Sequence, residues 1–118
     1  MNHKDLEVWK KAMDLVVAVY EVSNAFPDTE RYGLTQQMRR SAISIPSNIA
    51  EGAGRKGSKE FIQFVSIALG SLSELETQLI LSSRLNYIHD DAPIMEDLIR
   101  VRQLLIGFRN HLQKNNKE

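Results

Sequence analysis

The side chains with the strongest claim to chemistry gather at Gly52-Ala-Gly54-Arg-Lys-Gly57-Ser-Lys59, near the middle of a chain of 118 residues. The run spells G-x-G-x-x-G, and as G-x-x-x-x-G-Ser-Lys it half-resembles a phosphate-binding loop. In both motifs a β-strand delivers the chain into the glycine turn, and a helix follows whose N–H groups face the phosphate. Here the segment before the glycines has a helical period and no strand is available. Ser also precedes Lys, where the phosphate loop needs the reverse order. No nucleotide cofactor is expected. Two simpler roles stay open. Arg55, Lys56 and Lys59 surround a helix N-terminus, which favours an anion such as an RNA or DNA phosphate or a neighbouring subunit's carboxylate. Alternatively, the turn is solvated and its basic side chains do nothing more.

Other reactive groups are sparse. Inward-facing di-iron sites in bundles need Glu-x-x-His, and none of His3, His89 or His111 has Glu three residues before it. No metal site is expected. Arg109 and His111 are two residues apart, so on a helix they diverge instead of facing one cleft as a helical ribonuclease would need. Asn48, Glu51, Glu74 and Glu76 are the polar residues nearest apolar stripes. Paired carboxylates do acid–base work in many enzymes, but Gln36, Arg39 and Arg40 should oppose these in an antiparallel helix pair. An ion-pair network holding two helices in register is the expected role, and no enzyme activity is expected. Trp9, Tyr20, Phe61 and Phe64 read as core or interface residues rather than base-stacking platforms.

Four amphipathic helices must position these groups. The first should start after Asp5 as N-cap and run to about Ala25, with Leu6, Trp9, Met13, Val16, Val17 and Tyr20 on its buried face. The second starts near Tyr32–Leu34 and buries Leu34, Met38, Ala42, Ile45 and Ile49. Pro46 lies inside it. Because Ile49, Ala50 and Ala53 keep the period, the helix is expected to continue through a kink rather than stop at Ile45. Ser41, Ser44, Ser47 and Asn48 are placed to satisfy freed backbone groups there and to let another helix come close. Gly52, Gly54 and Gly57 should supply left-handed or open conformations for the reversal. Ser58 is the expected N-cap of a third helix running to about Leu85, some 40 Å long. Its seam is Phe61, Val65, Ala68, Leu72, Leu75 and Leu79, flanked by Ile62, Leu69 and Ile80. A line of small residues, Ser66, Gly70, Ser73 and Thr77, offers close approach to a further helix. Asp91 should cap the fourth, with Ile94, Leu98, Val101, Leu105, Phe108 and Leu112 buried and Lys114–Glu118 frayed. The expected fold is an all-α, up-down-up-down four-helix bundle spanning 1–118 as one domain, with helix two kinked at Pro46.

Composition is that of an ordinary soluble domain: 42% hydrophobic, 25% charged and no cysteine, which removes disulfides and thiolate metal sites. Residues 1–11 have no signal-like apolar stretch, so a cytoplasmic location is expected. Formal net charge is zero, yet residues 31–60 carry six basic and two acidic side chains, a local excess of four that points weakly to a polyanion.

Three runs resemble one family closely: Ser44-Ile-Pro-Ser-Asn-Ile-Ala-Glu-Gly-Ala-Gly-Arg55, Lys59-Glu-Phe-Ile-Gln-Phe64 and Ala68-Leu-Gly-Ser-Leu-Ser-Glu-Leu-Glu-Thr-Gln-Leu79. The family is the bacterial four-helix-bundle proteins encoded in intervening sequences of 23S ribosomal RNA genes. Asp5–Trp9 and Tyr32–Arg40 match as well, so the likeness covers about residues 5–88. It implies a ring-like homo-oligomer, a homopentamer, and a relationship to the accessory protein of diversity-generating retroelements, which binds nucleic acid and a reverse transcriptase. It also implies that Pro46, Asn48, Glu51 and Gly52 are the structural signature, and that Arg39, Arg40, Arg55, Lys56 and Lys59 are the nucleic-acid contacts. The zero net charge departs from the strongly basic accessory relatives. The expected function is therefore a non-enzymatic oligomer that binds RNA or a ribonucleoprotein through a basic surface, the alternative being a protein–protein scaffold without nucleic-acid contact.

Overall fold

A computed structural model describes residues 1–116 and contains four α-helices: α1 (Glu7–Ser23), α2 (Leu34–Ala53), α3 (Ser58–Arg84) and α4 (Ala92–Asn116). Single 3-10 turns occupy His3–Asp5 and Asp28–Glu30, and no strand occurs among the described residues. Helices touch in the order α1–α2, α2–α3, α3–α4 and α4–α1, without diagonal contacts, which defines an up-down-up-down bundle. Of the expected frayed tail, Lys114–Asn116 continue α4, and Lys117 and Glu118 lie outside the described residues.

The 3.6-residue period selects the core face of three helices as expected. Met38, Ala42, Ile45 and Ile49 of α2 are buried, as are the whole seam from Phe61 to Leu79 on α3 and Ile94, Leu98, Val101, Leu105 and Leu112 on α4. Leu34 and Phe108 are half-buried beside them. By length and composition α3 also qualifies as a membrane-crossing helix, but its most apolar line is spent on this core.

The first helix differs. Its buried line is Val8, Ala12, Leu15, Val19 and Ser23, whereas Met13, Val17 and Tyr20 stay 41%, 56% and 38% exposed. Leu15-Val-Val-Ala-Val19 is apolar on nearly every side, so periodicity alone does not select a face. The chosen face places small Ala12 at the packed interior and turns the bulkier residues outward. The termini shift too. Asp5 sits in the 3-10 turn, Leu6 is the cap of α1 without a side-chain bond, and the helix ends at Ser23, where Phe26 N–H donates to the Ser23 carbonyl.

Helix α2 runs unbroken past a buried Pro46. Of the two roles expected of the polar residues around it, close approach of another helix is the one that appears. Asn48 Nδ2 donates to the Ser44 carbonyl (2.7 Å) and to Ser44 Oγ (2.9 Å), Ser44 Oγ lies 2.8 Å from Ser71 Oγ of α3, and Ser41 donates to Glu74 at 2.8 Å. No side chain among the described residues donates to the Ala42 carbonyl, which proline deprives of its partner. These small polar groups stitch α2 to α3 at close range instead.

The α2–α3 reversal needs no left-handed glycine, since no glycine has positive φ. Gly57, at φ −146° and ψ 163°, is the N-cap of α3, and Ser58 is its first residue and makes no capping bond. The one left-handed residue is Asn86, at φ 62° after α3. There Tyr87 N–H donates to the Ser82 carbonyl and Asn86 N–H to the Ser83 carbonyl, a Schellman termination with asparagine in the usual glycine position. At the start of α4 the Asp91 carbonyl accepts Met95 N–H. The Asp91 side chain takes the Ser83 hydroxyl, while Asp90 accepts Ala92 N–H.

Candidate nucleic-acid interface

The four residues implied as a signature lie along the last two turns of α2, Glu51 and Gly52 at the α2–α3 hinge and Pro46 on the α1 side. Pro46 is buried and Asn48 fastens the turn before it, as above. Glu51 pairs with Arg55 at 2.6 Å across one helical turn. Gly52 is buried at the point where α3 crosses closest: a Cβ there would stand 2.6 Å from Phe61 Cδ1 and 2.9 Å from Phe64 Cβ. Phe61 itself packs edge-on against Phe108 of α4, with ring centroids 5.0 Å apart, so it has little freedom to withdraw. The Arg55 guanidinium lies over the Phe64 ring, 4.9 Å from its centroid, while Lys56 and Lys59 are exposed around the N-terminus of α3.

Arg39 and Arg40 lie elsewhere. They are 16 and 15 residues before Arg55 on or beside the same helix, about 24 Å along its axis. There they line an open cleft of about 440 Å³ between the end of α1, the 3-10 turn at Asp28–Glu30 and the start of α2. Arg39 is held firmly: its Nε donates to Ser23 Oγ (2.9 Å), its Nη2 to Asn24 Oδ1 (3.1 Å), and its plane covers the Tyr20 ring at 4.5 Å. Arg40 is exposed. Arg31 and Tyr32 join them on the cleft wall, and neither stood out in the sequence. They precede α2, outside its period, and only the turn of the chain brings them beside Arg39 and Arg40. The five basic residues implied by the family likeness thus form two groups, one at each end of α2.

The expected ion-pair network between α2 and α3 does not form among the described residues. Gln36, Arg39 and Arg40 lie on the α1 side of α2, whereas the side toward α3 carries Ser41, Ser44 and Asn48. Glu76 instead pairs with Arg102 of α4 at 2.9 Å, and Glu74 accepts from Ser41. His111 stacks near Phe108 and contacts Asn115, and Arg109 Nε is buried without a partner among the described residues. Among those residues no three His, Asp or Glu side chains gather at metal-ligating range.

A family model described as 23S rRNA-intervening sequence protein matches residues 4–107, taking in the signature hinge, the cleft and most of α4. The chain belongs to that family. The chain is also similar to a solved structure, that of a protein with unknown function from the S23 ribosomal protein family of Bacteroides thetaiotaomicron VPI-5482. The two share 26% identity with a TM-score of 0.81, over 93% of this chain and 99% of that one. No curated protein matches.

Proposed function

We propose that this protein is a non-enzymatic building block that self-associates into a ring and binds RNA phosphates through arginines and lysines repeated around it. The supporting observation is a pair of apolar surfaces on opposite sides of the bundle. On the α1/α2 side, Trp9, Met13, Val16, Ile43 and Pro46 line a groove of about 360 Å³. On the α3/α4 side, exposed Ile80, Ile99 and Ile106 form a ridge flanking the Glu76–Arg102 bridge, at helical steps of three and four from it. A groove on one side and a ridge on the other suit head-to-tail contacts, which close into rings when the rotation permits. Exposed apolar area of this kind in a small chain favours association.

The RNA half of the proposal is supported by Arg39, Arg40, Lys56 and Lys59, which have no carboxylate within ion-pair distance among the described residues, together with the ribosomal setting of the family and of the Bacteroides relative. Phosphate neutralisation makes affinity fall steeply with salt. The test is solution mass with and without RNA at two salt concentrations. A multimer that retains RNA only at low salt, and loses it when Arg55→Ala and Lys56→Ala are combined with Arg40→Ala, is the expected result. A strict monomer at high concentration ends the ring, and a multimer indifferent to RNA leaves a protein–protein scaffold.

A further inference from the structure

Every arginine in a fold carries a charge that something must answer. Arg102 is answered by Glu76 and Arg55 by Glu51, each within ion-pair distance. Arg84, Arg100 and Arg109 have no such partner among the described residues, but in the cleft three such arginines line one concavity. Among the described residues Arg31, Arg39 and Arg40 have no carboxylate within that distance, and the acidic lining residue is Asp28. Glu30, close by, spends its carboxylate on the Tyr87 hydroxyl (3.0 Å) and on Leu34 N–H.

Arg39 shows what this arrangement does. Its two protein partners, a serine hydroxyl and an asparagine carbonyl, are neutral, and its face rests on Tyr20. These contacts fix the plane of the guanidinium without cancelling its charge. Of its five N–H donors two are used, which leaves three in a fixed fork. A fixed fork with its charge intact matches the oxygens of a phosphate group. Arg40 and Arg31 add mobile positive charge at the rim, and Tyr32, 83% exposed, presents a free aromatic face beside them. A cleft of about 440 Å³ is within the range of small-molecule sites.

We infer that this cleft is a nucleotide site: Arg39 and Arg40 hold the phosphate of a nucleoside monophosphate and Tyr32 stacks on its base. The nucleotide is either free or one unit of a single RNA strand. The second source rests on the RNA reading above, and the first does not.

The experiment titrates the full-length protein with AMP and, separately, with a 5′-phosphorylated hexa-adenylate, by calorimetry at low salt. Arg40→Ala and Tyr32→Ala are the variants of choice, because both side chains are exposed and their loss leaves the fold intact. Each should weaken binding about tenfold, in line with the loss of one phosphate contact or one stacked base. Arg39→Lys, which keeps the charge but not the fork, should weaken it too, while Arg55→Ala with Lys56→Ala leaves AMP binding unchanged. AMP binding that follows this pattern supports a free-nucleotide site. Hexa-adenylate binding alone, with the same losses, supports a strand-unit site. Failure of both ligands to bind, or binding indifferent to Arg40 and Tyr32, overturns the inference. RNA retention that is lost in the hinge variants but not in the cleft variants overturns the strand-unit source while leaving the proposed function standing.

Discussion

A methyl group on Gly52 would press on Phe61 and Phe64 at distances no relaxed Cβ adopts, and Phe61 is pinned in turn by Phe108. Gly52→Ala should therefore cost about 1–3 kcal/mol through overpacking, despite the better helix propensity of alanine. Gly57→Ala and Gly70→Ala, where an added Cβ meets nothing within 4 Å, should not share that loss. Thermal unfolding of the three variants checks this. Tyr87 offers a test in pH. Its hydroxyl donates to Glu30, and that bond, with burial and the negative charge of Glu30, raises its pKa above the ordinary value of about 10. Below pH ~10 both folded and unfolded chains keep this proton, so its contribution is fully present there. As pH rises, the unfolded chain loses the proton first, and the contribution fades until the folded hydroxyl also ionises. The stability gap between the wild type and Tyr87→Phe should be flat below pH ~10 and narrow above it, as denaturant titrations across alkaline pH would show. At this scale the sequence was partly legible. The Ile-Pro-x-Asn-Ile-Ala-Glu-Gly run marked the hinge, but the reason for Gly52 lies in Phe61 and Phe64, which only folding brings to it.

At the scale of helices, period told which residues of α2, α3 and α4 face inward, because in each the longest line of apolar residues at steps of three and four is the buried one. It misplaced α1 by one position, since Val16, Val17 and Val19 give that helix two plausible lines and the choice is made by what packs against it. Helix ends were legible as places but not as chemistry. The glycines were expected to turn the chain through left-handed or open conformations; Gly57 is extended, and among the described residues Asn86 alone is left-handed. Asparagine tolerates that region better than alanine, whose Cβ crowds the next carbonyl at a cost of about 1–2 kcal/mol. Asn86→Ala should lower stability by about 1 kcal/mol, whereas Asn86→Gly should hold or raise it. Chemical denaturation of both variants decides the matter.

On the scale of the molecule, the fold followed from the four stripes, but the two surfaces of the proposed assembly did not. The small-residue line of α3 was expected to receive a further helix, and Ser66, Gly70, Ser73 and Thr77 remain exposed, with none of the chain's own helices against them. The groove and ridge appear only once α1 turns Met13 outward and Ile80, Ile99 and Ile106 align across α3 and α4. Head-to-tail assembly has a sharp signature. Met13→Lys disables the groove and Ile99→Lys the ridge, so each variant alone should be monomeric. Mixed one to one, they still own one intact groove and one intact ridge between them, and should form a dimer that cannot grow. Light scattering on the mixture reads this directly. A self-matching contact would instead leave one of the variants still dimeric alone.

Ile43 stands at the boundary between the apolar groove and the arginine-lined cleft and lines both. A copy seated in the groove would therefore touch the wall of the cleft, and the two occupancies share a free energy. Whatever nucleotide binding does to assembly, assembly must do to nucleotide binding by the same factor. Apparent affinity for AMP should then drift as the protein is diluted, and the multimer should tighten or loosen as AMP is added, in the same sense.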